Sequence, residues 1–219
     1  MKPPVARPIP RTTVLHRETL EDPYFWLREK ENPEVRTYLE AENAYADAVT
    51  APLAELSASL YDEMLARIQE DDTSAPYLFR GFLHRVRTEK GRQYPIHERR
   101  RQDAPAYAPF ETVLDVNDLA AGRSFMSLGA CLMSDDGALL AYSTDDTGFR
   151  QYRLQVKNLV TGELWNRSFE KTISVAWAAD SRTLFFTAED HAKRAAKLYR
   201  VEAFTDAEPE LVFAEPDER

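Results

Sequence analysis

The chain has 219 residues, 43% of them apolar, with 28 Lys plus Arg against 37 Asp plus Glu and a formal net charge of −9. That length allows one or two domains, the apolar content excludes general disorder, and the negative balance disfavours nucleic acid and anionic membranes as partners. No apolar run is long enough to cross a bilayer, and the N-terminus MKPPVARPIPRTTV carries positive charge without an apolar core, so a cytoplasmic protein without a secretory signal is expected.

Residues 1–21 contain Pro3, Pro4, Pro8 and Pro10 and no helical period, which predicts an extended arm. Asp22-Pro23-Tyr24-Phe25-Trp26-Leu27 follows, and its three adjacent rings read as a packing anchor for the next segment. Asn32-Pro33-Glu34 is a helix start: a capping side chain, a proline suited to the first helical position and an acid at the positive end of the dipole. Val35, Tyr38, Leu39, Tyr45 and Val49 then share a helical face. A second helix opens at Pro52 with the stripe Leu53, Leu56, Leu60, Met64 and Ile68, and the short link predicts an antiparallel helical pair. Glu70-Asp71-Asp72-Thr73-Ser74-Ala75-Pro76 is an acidic boundary without the alternating ligands and closing Glu of a calcium loop. The division expected is 1–75, arm and helical pair, and 76–219, an incomplete β-propeller.

From Tyr77 the period becomes two-like. Phe82 to Arg87 and Tyr94 to Glu98 read as a hairpin turned at Glu89-Lys90-Gly91-Arg92. Between Arg80 and Arg101 stand eight basic residues and two glutamates, read as solvated strand faces. Asp118 is expected to cap a helical turn over Leu119–Gly122. Residues 129–160 and 174–201 then repeat at a shift of 44 positions. Asp136 falls on Asp180, Leu140 on Leu184, Tyr142 on Phe186, Ser143 on Thr187 and Leu154 on Leu198. Gln93-Tyr94-Pro95-Ile96 resembles Gln151-Tyr152-Arg153-Leu154 as a weaker, earlier copy. Short antiparallel strands at a period of about 40–50 residues are the mark of propeller blades, and each blade needs neighbours to bury both faces. After one more apolar trio, Leu211-Val212-Phe213, the chain ends in Glu215-Pro216-Asp217-Glu218-Arg219.

On-chain chemistry is sparse. None of the glycines stands four positions from another, so no G-x-S-x-G nucleophile elbow exists. His16, His84, His97 and His191 show no metal-ligand spacing; His84 and His97 sit in one hairpin and are read as a cross-strand polar pair. Asp145-Asp146 in a turn is read as two carboxylates pointing apart into solvent. Cys131 is read as a small buried hydrophobe, and the Asn166-Arg167-Ser168 sequon as chance. No catalytic residue, metal or cofactor is assigned.

Asp22–Leu27, Pro33-Glu34-Val35, Tyr38–Tyr45, Leu60–Met64 and Arg67-Ile68 closely resemble the N-terminal segment of the oligopeptidase B group of the prolyl oligopeptidase family of serine peptidases. Further along, Gln93–Ile96, Ser127-Leu128-Gly129, Gly148–Tyr152 and Val175–Asp180 continue the likeness in order. The resemblance implies an α/β-hydrolase catalytic domain capped by a seven-bladed propeller that admits short peptides cleaved after Arg or Lys. This chain is then mainly β with an N-terminal helical segment: about three blades, with the α/β-hydrolase domain and its Ser-Asp-His triad absent. Its implied partners are short basic peptides and a C-terminal hydrolase domain, and by itself it is expected to be inactive. Arg150, at a loop-to-strand junction inside a matching motif, is the candidate for an interdomain or substrate-channel contact. The rival reading is a stand-alone protein-binding module, or a non-catalytic subunit complemented by a separate hydrolase chain.

Overall fold

A computed structural model describes residues 2–217; Met1, Glu218 and Arg219, the last two from the terminal acidic run, lie outside the described residues. The chain divides into two compact units, Met1–Gln69 and Glu70–Arg219.

In the first unit the arm is not simply extended. β1 (Thr12–Leu15) and β2 (Glu18–Glu21) form an antiparallel hairpin. Its two-residue turn holds His16 at φ 52 and Arg17 at φ 71, the twist-matched geometry usually given to Asn-Gly. The aromatic run forms a 3-10 turn, Phe25–Arg28, that buries Trp26. The Trp26 indole donates to the Arg7 carbonyl at 3.0 Å and meets the Tyr38 ring edge-on at 6.5 Å. Of the three rings expected to anchor the next segment, Trp26 is the buried one, while Tyr24 stays exposed.

α1 (Pro33–Thr50) starts as expected, with the Asn32 side chain accepting from the Glu34 amide at 3.0 Å. Pro52 lies in a 3-10 turn, Ala51–Leu53, and α2 (Ala54–Ala66) follows it. An antiparallel pair was the expectation for these helices, yet their stripes do not cover each other. No α2 residue is buried, and Leu53, Leu56, Leu60, Met64 and, past the helix end, Ile68 are all exposed. Through the link Thr50, Ala51 and Ala54 keep right-handed helical backbone, and Leu53, at φ −95 and ψ 1, is the residue that leaves it.

The second unit is three antiparallel sheets. The first holds β3 (Asp72–Thr73), β4 (Tyr77–Phe79), β5 (Phe82–Thr88), β6 (Ile96–Arg101) and β7 (Glu111–Asp115), with β3 and β4 both pairing with β5. It begins at Asp72, ahead of the division expected at residues 75 and 76. The acidic run is tied to the hairpin: Asp71 accepts from the Lys90 amide at 2.7 Å, and the Glu70 carbonyl from the Thr88 hydroxyl at 2.7 Å. The helical turn α3 (Val116–Leu119) comes three residues earlier than predicted, because Asp115 rather than Asp118 caps it, accepting from the Asn117 amide at 2.8 Å.

The second sheet holds β8 (Ser127–Met133), β9 (Leu139–Asp145) and β10 (Arg153–Asn158), bridged on its outer edge by residues 164–169. The third holds β11 (Thr172–Trp177), β12 (Thr183–Glu189), β13 (Ala195–Glu202) and β14 (Glu210–Ala214). The 44-residue shift survives in the pairing itself. Met133 faces Leu140 as Trp177 faces Leu184, Cys131 faces Tyr142 as Val175 faces Phe186, and Leu154 faces Ser143 as Leu198 faces Thr187.

Even the irregularities recur. The β8–β9 register slips between Leu128 and Cys131, and the β11–β12 register slips between Thr172 and Val175. In each slip a hydroxyl stands in for a missing carbonyl: Ser143 accepts from the Ala130 amide at 2.8 Å and Thr187 from the Ser174 amide at 3.1 Å. Gly129 is required in the first slip, since a Cβ there would stand 2.7 Å from Ser143 Oγ and 2.8 Å from the Tyr152 ring.

Two cores lie between the sheets. Val113, Leu114, Val116, Met126, Leu140 and Tyr142 pack the first sheet on the second. Ala141, Leu154, Val156, Trp165, Leu184, Phe186 and Val201 pack the second on the third. Polar ties reinforce the second contact: the Trp177 indole donates to the Leu132 carbonyl at 3.0 Å, and the Asp136 amide to the Ser181 hydroxyl at 3.0 Å.

Candidate functional site at the loop end of the blades

The β9–β10 and β12–β13 connections lie at one end of the sheets, where the Lys193 ammonium donates to the Phe149 carbonyl. The first connection is built on Asp145. Its side chain is 1% exposed and accepts from the Thr147 hydroxyl at 2.6 Å, the Thr147 amide at 2.9 Å and the Arg150 amide at 2.7 Å. Burial alone raises its pKa, but these bonds and one from the Gln151 amide outweigh it and hold the carboxyl below its ordinary 3.8. The reading of Asp145 and Asp146 as two solvated carboxylates is therefore corrected. Asp146 turns outward to Arg123, whereas Asp145 turns inward as the acceptor for its own turn.

The second connection repeats the device on Asp190, one residue past the position that a 44-residue shift from Asp145 gives, and the β12–β13 register slips beside it with Ala196 of β13 as the extra residue. Asp190 accepts from the Ala192 amide at 2.8 Å, the Arg194 amide at 3.0 Å and the Arg194 guanidinium at 2.7 Å. The Arg194 amide and side chain hold it at about 2.

Arg150 is placed by this scaffold. Its backbone is left-handed at φ 57, two residues after Gly148 at φ 78, and its amide is committed to Asp145. Its side chain is exposed, and the guanidinium meets no partner among the described residues. The loop thus fixes the backbone and leaves a planar cation pointing outward, a group suited to bidentate contact with a carboxylate.

The histidines are arranged differently from the expected pair. His84 stands opposite Arg99 and His97 opposite Val86, so the two share a face but are diagonal, not opposed. His16 is in the arm hairpin and His191 is exposed in the Asp190 loop. Cys131 is half-buried, with its thiol pushed up to about 11 by burial. Asn166 is exposed on the segment bridging β10. Among the described residues there is no cluster of three or more His, Cys, Asp or Glu that could hold a metal ion, and no helix is long and apolar enough to cross a membrane.

Adjacent antiparallel sheets related by one repeat, packed face to face with their connections gathered at an end, define a part of a β-propeller. Comparison with known proteins takes this further. The family model for the prolyl oligopeptidase N-terminal β-propeller domain matches residues 3–219. The chain is 42% identical over 192 residues to dipeptidyl aminopeptidase BI of Pseudoxanthomonas mexicana, covering 80% of this chain and 26% of that protein. It is 33% identical over 225 residues to protease 2 of Moraxella lacunata, covering 100% of this chain and 33% of that protein. Among solved structures, oligopeptidase B of Leishmania major matches at TM-score 0.83 and 27% identity, over 99% of this chain and 33% of that one. The chain belongs to the prolyl oligopeptidase family, as its N-terminal propeller region, and spans a third or less of the length of these relatives.

Proposed function

We propose that this chain is the propeller part of a serine peptidase that hydrolyses short peptides after Arg or Lys, where it packs on an α/β-hydrolase domain and gates access to it. The observation that carries the reading is the match of residues 3–219 to the family's N-terminal propeller domain. Chemistry is supplied by the hydrolase domain, and this chain contributes steric selection. Arg150 is the contact residue: its fixed backbone and outward guanidinium suit a carboxylate of the hydrolase domain or of a peptide terminus.

The test joins this chain to the remaining two-thirds of the Moraxella lacunata relative and follows a fluorogenic Arg peptide and a long polypeptide substrate. The chain by itself is expected to give no turnover, and the hybrid to cleave the short peptide in preference to the long one. Arg150→Ala is expected to lower kcat/KM of the hybrid about tenfold, roughly 1.4 kcal/mol of transition-state stabilisation, with the thermal midpoint unchanged. Serine-dependent turnover by the chain without the added part, or equal cleavage of both substrates by the hybrid, overturns the proposal. An Arg150→Ala hybrid with unchanged kinetics removes Arg150 from it.

A further inference from the structure

The contact between the first and second sheets holds two imidazoles where a core would ordinarily place apolar groups. His84, on β5, is 6% exposed. The Tyr77 ring of β4 stacks on it at 5.4 Å between centroids, with the rings of Phe79 and Phe82 at 6.2 and 6.3 Å. His97, on β6, shares that face, and its Nε2 is buried with no hydrogen-bond partner among the described residues. Both line a cavity of about 40 Å³ closed from the second sheet by Cys131 and Met133 of β8 and from β7 by Val113. That is room for a single water, in a wall that offers few polar partners.

We propose that this contact is an acid-sensitive latch, in which protonation of His84 and His97 separates the first sheet from the second. The charges around the pair set the direction. Arg99, opposite His84, is itself buried beneath the second sheet, donating to the Gly137 carbonyl, and its counter-ion Glu111 is already taken. Glu98, the carboxylate lining the cavity, is held by Arg85 at 2.7 Å and Arg87 at 3.1 Å. From β8 come only the neutral thiol of Cys131 and the Met133 thioether, and from β9 the phenol of Tyr142, opposite Cys131, whose pKa burial raises. From β4 comes the Tyr77 ring. New positive charge here meets cations, apolar walls and one carboxylate already held by two arginines, and an imidazolium at His97 has a buried donor with nothing to receive it.

Burial lowers both imidazole pKa values; at His84 a hydrogen bond to the Phe79 backbone opposes this and Arg99 reinforces it. A folded value below the unfolded 6.5 means the separated state takes up protons first as pH falls. The latch is therefore complete above pH 6.5 and weakens as pH drops below it, levelling off beneath the folded values.

Cys131 is the only cysteine and lines the cavity, so it reports the opening. The rate at which 4,4′-dithiodipyridine labels the full chain is divided into the rate for the same chain unfolded in guanidinium at each pH. That protection factor is expected to fall at least about tenfold between about pH 7.5 and 5, and to stay flat in the His84→Phe/His97→Leu variant, which keeps the ring stack and fills the cavity. Protection that is constant with pH, or that falls equally in the variant, overturns the latch. If the variant does not fold, the imidazole proton shifts of the native chain decide. Their midpoints must lie below the ordinary histidine value and coincide with the loss of Cys131 protection; midpoints that do not coincide with it reject the proposal.

Discussion

Leu154→Ala is expected to lower the stability of the second unit by about 3 kcal/mol, within the range of about 2–5 for deleting a buried leucine side chain. Leu154 is 0% exposed and sits in the core between the second and third sheets with Leu184 and Phe186, against which Phe169 stacks at 4.7 Å. Removing it costs the transfer of the lost methyl groups plus the cavity left behind, and paired strands on both sides hinder collapse into that cavity. For a unit of this size the midpoint of thermal unfolding should fall by about 6–12 °C. Leu211→Ala is the matched control: the same chemistry at 50% exposure on β14 should change stability by less than about 0.5 kcal/mol. Equal losses at the two positions would mean that the second and third sheets do not share a core.

Asp145→Ala is expected to cost about 2–4 kcal/mol, because it strips the acceptor from three turn amides and one hydroxyl at a site only 1% exposed. The loss also releases Arg150 from its left-handed backbone, so the loop end should loosen with it. Asp145→Asn keeps one oxygen but turns an NH2 group toward one of the donors, and should fall between wild type and Asp145→Ala. The pH dependence follows from the sign of the shift. The folded carboxyl lies below its unfolded 3.8, so its contribution is present above that value and is lost as pH falls through it toward the folded one. Asp180 and Asp190, each held at about 2, add to the same acid limb between about pH 4 and 2. Asp145→Asn should make that limb shallower, leaving the part that Asp180 and Asp190 contribute, without touching the behaviour near pH 6 assigned to His84 and His97.

How much of this was legible in the sequence depends on how local its cause is. The 44-residue repeat was legible because strand burial depends on alternation, and Leu140, Tyr142, Leu184 and Phe186 carry the inward positions of two central strands. The Asn32 cap was legible because cap, proline and acid act within one turn. The β1–β2 hairpin was not, since nothing in His16-Arg17 announces two left-handed residues. Nor was the start of α3, where Asp115 and Asp118 are equally good caps until strand pairing decides between them. The diagonal placement of His84 and His97 depends on the hairpin register, which residue type does not reveal. Asp145 carried a readable signal, an Asp two residues before a Thr at a strand end, but its burial comes from the sheets around it.

The central claim, that the second and third sheets are one repeat set side by side, is tested most directly by amide hydrogen exchange resolved to single residues. Strongly protected amides in β9 and β12 are expected to recur at a spacing of 44 positions, with β14 exchanging faster than either strand. Protection without that period, or β14 protected as strongly as β12, would contradict it.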